Sequence, residues 1–361
     1  MSSMTGNKLK LSVFGESHGV AVGCVLDGLP AGLELDFEAI HRQMARRAPG
    51  RDKTATARTE ADVPQVLSGV LNGVTTGAPL AMMIQNTDAH SEDYQSLKTV
   101  PRPSHGDYPA SVKYRGFNDL RGGGHGSGRL TAPLVFAGAV AGQLLAQKGV
   151  TVGAHILRIG SVTDDSFDFN HIEKAQLMGL AASDFPVLAA DCQEKMCEEI
   201  ERYRLQQDSI GGMIECAAIG LPVGLGEGLF DSAESRLSQL LFSIPAVKGV
   251  QFGTGFGFAG SCASDVNDGY TVKDGRIALL SNHNGGILGG MTTGAPLVLS
   301  VAIKPTPSIG RPQPSVNMAT MQNETVTVQG RHDPCIVPRA VPAVEAAVAF
   351  TLADLLLENN I

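Results

Sequence analysis

The chain has 361 residues, 43% of them hydrophobic and 18% charged, a balance that supports a sizeable buried core and argues against disorder. Its formal net charge is -8, so its overall field repels nucleic acid and anionic membranes, and an anionic ligand has to be held by local clusters of positive charge. The longest apolar stretches, Leu134–Leu145 and Val341–Leu357, are interrupted by Gly, Gln, Glu or Asp and read as short of a bilayer span, with no signal peptide ahead of them.

From the amino terminus, Leu9, Leu11 and Val13 alternate with polar residues, and Val20, Val22, Cys24 and Leu26 alternate again, which is the period of half-buried strands. The turn Gly28-Leu-Pro-Ala-Gly-Leu33 ends the second strand, and Phe37, Ile40, His41 and Met44 then repeat at helical spacing as far as Arg46-Arg47, where Pro49-Gly50 stops the helix. Further helices are predicted over 132–148, 188–207, 233–242 and 341–358. No alternating βαβ pattern is sustained, so the expected class is α+β, with helices layered against antiparallel sheets.

Two segments recur in the same order. Gly28–Leu33 returns as Gly220-Leu-Pro-Val-Gly-Leu225, and Gly69-Val-Leu-Asn-Gly-Val-Thr-Thr-Gly-Ala-Pro-Leu80 returns as Gly286-Ile-Leu-Gly-Gly-Met-Thr-Thr-Gly-Ala-Pro-Leu297. Collinear matches point to one domain over 1–361 with internally duplicated, inseparable halves at roughly 1–150 and 200–361, the second carrying extra residues. The six cysteines form no Cys-x-x-Cys pair and read as reduced, mostly buried thiols, which favours a cytoplasmic location. The 43 glycines cluster at Gly122–Gly124, Gly285-Gly286 and Gly289-Gly290 and mark tight turns and close backbone approach.

Several loops concentrate chemistry. His18 follows the first strand inside Gly15-Glu-Ser-His-Gly19; alone it reads more plainly as a turn histidine bonded to nearby backbone. Arg102-Pro-Ser-His105-Gly-Asp107 offers an imidazole that can move protons near neutral pH and a carboxylate to orient it, but too few ligands for a metal. Arg121-Gly-Gly-Gly-His125-Gly-Ser127-Gly-Arg129 runs into a helix, so loop amides, a helix N-terminus and two bracketing arginines make an anion site, although a flexible surface loop is the plainer alternative. Arg46-Arg47-Ala-Pro-Gly-Arg51, with Lys53, is the densest basic run, and arginine clusters hold carboxylates and phosphates bidentately. Arg331, His332 and Asp333 crowd one short loop before the last helix. Gly255-Phe-Gly-Phe-Ala-Gly260 matches a dinucleotide fingerprint literally, yet no helical periodicity follows it, so it carries little weight.

Taken together, these motifs, with Asp208-Ser-Ile-Gly-Gly, Ser243-Ile-Pro-Ala-Val-Lys-Gly, Ser281-Asn-His-Asn-Gly-Gly, Lys304-Pro-Thr-Pro-Ser308 and Gly330-Arg-His-Asp-Pro-Cys335, resemble the chorismate synthase family from the first strand to the last helix. The resemblance implies a β-α-β sandwich assembled as a homotetramer. It further implies a 1,4-anti elimination of phosphate from 5-enolpyruvylshikimate 3-phosphate, requiring reduced FMN without net redox change. Matched to the family's motifs, His18, His105 and Asp333 take the proton traffic. The substrate anions fall to Arg46, Arg47, Arg51, Arg102, Arg129 and Arg331. Flavin contacts fall on His125, Gly126, Ser127, Pro245, Ala246, Gly289, Lys304, Pro305, Thr306, Pro307, Ser308 and Arg331. Arg47, with Lys53, matches a position assigned to NADP, and no metal is implied.

The chain departs from the family's usual RGGGRSSARET at His125, Gly126 and Leu130, from RPGHAD at Ser104 and Gly106, and from SINAVKG at Pro245. These changes fall mainly on flavin-matched loops. No insertion suggests a fused flavin reductase, so an external flavin reductant is expected. The rival readings are a non-catalytic flavin- or anion-binding relative, and a metal-dependent phosphohydrolase using His18, His105, His283 and His332 with Asp107 and Asp333, against which the ligand spacing argues.

Overall fold

The computed structural model describes residues 3–50, 62–87, 98–328 and 333–359. Arg51, Lys53, Arg331 and His332 lie outside them.

The first half runs β1 (Met4–Thr5), β2 (Lys10–Gly15), β3 (Ala21–Asp27), α1 (Phe37–Arg47), β4 (Gln65–Ser68), the hairpin β5 (Val70–Leu71) and β6 (Val74–Thr75), β7 (Leu80–Gln85), α2 (Asp107–Lys113) and α3 (Thr131–Gln147). The second runs β8 (Thr151–Ile159), β9 (Val162–Thr163), α4 (Lys174–Ala182), α5 (Cys192–Leu205), β10 (Gly212–Ile219), α6 (Ala233–Leu241) and β11 (Val247–Phe252). It continues with α7 (Ala263–Val266), β12 (Tyr270–Lys273), β13 (Arg276–Leu279), β14 (Ile287–Leu288), β15 (Met291–Thr292), β16 (Leu297–Ile303), β17 (Gln313–Asn317), β18 (Gln322–Val326) and α8 (Val337–Glu358).

Two five-stranded antiparallel sheets, ordered β1-β2-β3-β7-β4 and β9-β8-β10-β16-β11, match in the four strands β2-β3-β7-β4 and β8-β10-β16-β11, while the edge strands differ, β1 preceding β2 along the chain and β9 following β8. The likeness extends to side chains. Thr75 Oγ1 donates to the Pro30 carbonyl at 2.6 Å and accepts from Leu33 N at 3.0 Å; Thr292 Oγ1 does the same with Pro222 at 2.6 Å and Leu225 at 2.9 Å. Gly28 and Gly220, both with positive φ, lie so close to the Lys8 and Gly149 carbonyls that a Cβ would collide. The second half carries extra residues in two places: between β8 and β10, where β9, α4 and α5 lie, and between β11 and β14, where the hairpin β12–β13 and a short 3-10 turn over Gly255–Gly260 lie. That turn does follow a strand, β11, but only the four-residue α7 comes after it, not the long helix a dinucleotide-binding glycine loop requires.

Helices fill the space between the sheets. α3 packs on α8 and on β3, α8 on β8 and β10, and α1 on both helices, so one continuous apolar core joins both halves. α3 and α8 cross closely because Gly138 sits against Ala346, where a Cβ would stand 2.2 Å from its neighbour. By length and composition α8, and α3 taken with the turn before it (Gly128–Gln147), are apolar enough to cross a membrane, which corrects the shorter spans read from the sequence. Most of each apolar window is nevertheless buried inside the fold, as in a core helix.

α1 starts where the Asp36 carboxylate accepts the Ala39 N–H at 2.9 Å, and it turns Ile40 and Met44 inward. α8 begins four residues ahead of the predicted start because Pro338 suits a first helical turn. α2 and α4 were not predicted: both are short, and neither shows a sustained apolar period.

Buried charges in this core are paired. Glu345 on α8 takes Arg46 at 2.5 Å and the Ala154 N–H at 3.0 Å; Asp354 accepts Asn7, Lys8 and Leu9 N–H groups and Arg236. All six cysteines are free, four of them buried, and burial pushes the Cys335 thiol up to about 12.

Candidate active site

A cavity of about 1010 Å³ opens where the end of β2, the glycine loop, the 102–107 loop, the 304–308 segment and the start of α8 converge. The glycine loop shapes its wall. Gly122, Gly123 and Gly124 all have positive φ (60°, 90° and 56°), a sequence of turns that side-chain-bearing residues adopt only with strain. Their path brings the Gly124 carbonyl to Ser17 N at 3.1 Å and lays Gly122 directly on His18. His18 is buried beneath the loop and is not itself part of the cavity wall, unlike its neighbours Glu16 and Ser17.

His125 is bonded through both ring nitrogens. Nδ1 lies 2.7 Å from the Gly15 carbonyl, so Nδ1–H donates there, and Nε2 accepts from the Ser3 hydroxyl at 2.9 Å. The ring lines the cavity, but its hydrogen bonds tie the glycine loop to the amino-terminal strands. Gly126 and Ser127 follow it in the wall.

Arg102, His105 and Asp107 form one bonded group. Arg102 Nε and Nη2 grip the two oxygens of Asp107 at 2.7 and 2.8 Å, and His105 Nδ1 donates to Asp107 Oδ1 at 2.7 Å. Burial alone would raise the Asp107 carboxyl, but the hydrogen bonds from Arg102 and His105 outweigh it and hold it far below the usual carboxylate range. A permanent carboxylate at Nδ1 fixes the His105 tautomer and leaves Nε2 to exchange a proton with the cavity. Arg102 Nη1 also reaches Ser308 Oγ at 3.4 Å.

On the opposite side, Arg47 and Arg129 both bond Asp62, and Arg47 further donates to Thr131 Oγ1 at 3.2 Å and the Gly128 carbonyl at 3.3 Å. Burial lowers the Arg47 guanidinium to about 10, with Asp62 opposing the shift, so it remains a cation at neutral pH. Asp333 accepts from Arg339 at 2.5 Å, while Arg339 Nε holds the Arg47 carbonyl at 3.1 Å.

Pro245, Ala246, Lys304, Thr306, Pro307 and Ser308 complete the wall. Ala246 holds a φ of 75° and accepts from Lys304 N at 2.9 Å, a strained backbone kept in place by its neighbours. Lys304 Nζ donates to the Ser104 carbonyl at 2.6 Å, and burial lowers its ammonium from the ordinary lysine value.

Besides His18, three expected residues stand apart from the wall. Arg46 turns its guanidinium to Glu345, Gln43 and the Ser183 carbonyl, which makes it a core counter-ion instead of a cavity cation. Pro305 packs on Gly211, and Gly289 forms the β14–β15 turn, away from the cavity wall. Sequence reasoning missed Arg339, Lys113 at the end of α2, and Tyr114 and Phe117 just beyond it, all in the cavity wall, as well as Asp62, which bonds two of the wall's arginines; for Arg339, its place in the first turn of a helix after the Arg-His-Asp loop was an available signal. Among the described residues, no group of three or more His, Cys, Asp or Glu is placed to hold a metal ion.

A family profile for chorismate synthase matches residues 9–357. The chain belongs to the chorismate synthase family. It is similar to the chorismate synthase of Thermococcus kodakarensis, at 46% identity over 357 residues, covering 99% of this chain and 98% of that one. The Korarchaeum cryptofilum protein of the same name is 45% identical, with 98% and 97% of the two chains covered. A crystal structure of a chorismate synthase superposes with a TM-score of 0.76 at 28% identity, covering 98% of this chain and 93% of that one. The fold is thus the α+β arrangement expected, and the chain is a lyase of the shikimate pathway.

Proposed function

We propose that this cavity converts 5-enolpyruvylshikimate 3-phosphate to chorismate and phosphate by 1,4-anti elimination, with reduced FMN bound beside the substrate. The observation that carries the reading is the meeting of His105, Arg102, Arg47, Arg129 and Asp333 with the flavin-matched residues 125–127, 245–246, 304 and 306–308 in one cavity. The residues suit a flavin: Pro109, Tyr114, Phe117, Ile244 and Ala340 give an apolar wall for a flat ring, and about 1010 Å³ leaves room for a second ligand. When bound, the reduced flavin supplies electron density that promotes departure of phosphate.

The chain's own groups do the rest. Arg102, Arg47 and Arg129 neutralise the carboxylates and phosphate, and they act strongly because the wall is partly desolvated. His105 Nε2 exchanges a proton with the reacting pair, its ring held by Asp107. His18 acts from beneath Gly122, and Asp333 is held by Arg339. Arg331 and Arg51, outside the described residues, belong to the same proposal by position in the sequence, as does an NADP contact at Arg47 with Lys53. His125 contributes its ring face and its bracing of the loop.

The exposed apolar residues Phe14, Val20, Val63 and Leu67 on the first half, and Leu229, Phe230, Val272 and Ile277 on the second, are surface that assembly would cover, and the homotetramer of the family is the form proposed. Light scattering coupled to size exclusion tests it. A cytoplasmic location, an external flavin reductant and a single duplicated domain complete the reading.

The deciding experiment is anaerobic release of phosphate and chorismate with photoreduced FMN, beside oxidised-flavin and chelator controls. Turnover only with reduced flavin, unaffected by chelator, upholds the reading. Phosphate without chorismate, or flavin binding without product, overturns it.

A further inference from the structure

Asp62 is fully buried at its side chain, yet the two groups it contacts, Arg47 and Arg129, both line the cavity. One carboxylate oxygen serves each arginine: Oδ2 meets Arg47 and Oδ1 meets Arg129. Its backbone holds a φ of 47°, which a residue with a side chain adopts only where its surroundings fix it. Burial would raise the carboxyl, but the two guanidiniums outweigh that and keep it below its ordinary value. Arg129 Nε is additionally held by Asn86 at 3.0 Å, and Arg47 Nε by Thr131 at the start of α3. Both cations are thus anchored by neutral partners and also bond the same carboxylate.

Two desolvated guanidiniums side by side repel each other, and one carboxylate between them halves their combined charge. A phosphate arriving at this wall meets a net single positive charge from the trio, not two. We propose that Asp62 is a positioning residue that sets Arg47 and Arg129 as a pair and tempers their hold on a phosphate group, so that phosphate is bound firmly enough to be oriented and weakly enough to leave. The inference rests on the reading of the cavity as an anion site, but it does not depend on turnover or on flavin.

The role differs in sign from a purely structural one. If Asp62 only supported the wall, its loss would weaken anion binding; if it tempers charge, its loss strengthens it. The test is titration calorimetry with inorganic phosphate on the wild-type protein and on Asp62→Asn, which keeps the shape and removes the charge. The expected result is phosphate bound about tenfold more tightly by the variant, with a steeper loss of affinity as salt rises. Asp62→Glu, which keeps the charge, should tighten binding far less than Asn does. Equal or weaker phosphate binding by folded Asp62→Asn overturns the proposal, as does equal tightening by Glu. Failure of the wild type to bind phosphate overturns instead the anion-site reading on which it rests. If Asp62→Asn does not fold in phosphate-free buffer, refolding across a phosphate series takes over. Recovery of folded protein as phosphate rises upholds the exchange of one anion for another, and no recovery at any concentration overturns it.

Discussion

A Cβ placed on Gly122 would stand 2.6 Å from Cδ2 of His18 and 2.6 Å from Oγ of Ser17, so the glycine loop and the histidine beneath it fit only because that atom is missing. Gly122 also holds a φ of 60°. Gly122→Ala therefore strains the backbone by about 1 kcal/mol and pushes the His18 ring out of place. Turnover is expected to fall at least about tenfold with the far-ultraviolet spectrum unchanged, since small misplacements of reacting groups are costly. Wild-type turnover in the variant would remove His18 from the proton path.

For His105, the expected loss is in kcat. Replacement by Ala is expected to slow turnover by about 10²- to 10⁴-fold while substrate affinity changes far less. Steady-state kinetics with a direct binding measurement separates the two, and unchanged turnover rules the group out.

Asp107 carries a stability signature as well. Its folded-state carboxyl is depressed, so its contribution is present above the unfolded value and is lost as pH falls. Thermal melts of wild type and Asp107→Asn are expected to differ at neutral pH and to converge only below about pH 4. A gap that persists unchanged in acid would contradict the assigned pairing.

The backbone plan was largely legible in the sequence because it rests on short-range chemistry: alternation for β2 and β3, a capped amphipathic α1, and paired Gly-Leu-Pro turns. The cavity was legible where its residues sit in loops dense with titratable groups. Arg46 could not be told from Arg47 by sequence, since adjacent helical residues point about 100° apart and only packing decides which meets Glu345. Asp62 was invisible for the opposite reason. It lies in no motif, and its role comes from contacts 15 and 67 residues away along the chain.

The buried trio His155, Asp164 and Glu215 behaves in the opposite sense to Asp107. His155 Nδ1 lies 3.2 Å from Asp164 and Nε2 3.0 Å from Glu215; burial opposes its charge, but the two carboxylates outweigh that and raise its value. A raised histidine stabilises fully below its unfolded value of about 6.5 and loses that contribution as pH rises through the folded value. Denaturant unfolding from pH 6 to 9 is expected to show wild type weakening with pH relative to His155→Gln, which itself costs about 3–5 kcal/mol at pH 6. A pH-independent difference would mean that the ring is neutral.

Salt reports on the arginines. Substrate affinity is expected to weaken several-fold as ionic strength rises from about 0.05 to 0.5 M, because screening shortens the reach of the cavity's cations. A salt-independent dissociation constant from titration calorimetry counts against Arg47, Arg102 and Arg129 as the anion holders.

The first residues of the chain are tied down at two points, one at the site and one in the core. Ser3 bonds the ring of His125, and the Asn7, Lys8 and Leu9 amides close on Asp354 within α8. A protease that nicked the backbone after Thr5 would leave Asp354 satisfied and the core intact, yet it would cut the glycine loop loose from its brace. Damage at the amino terminus would then register as a loss of ligand affinity in a protein that still melts as a folded one.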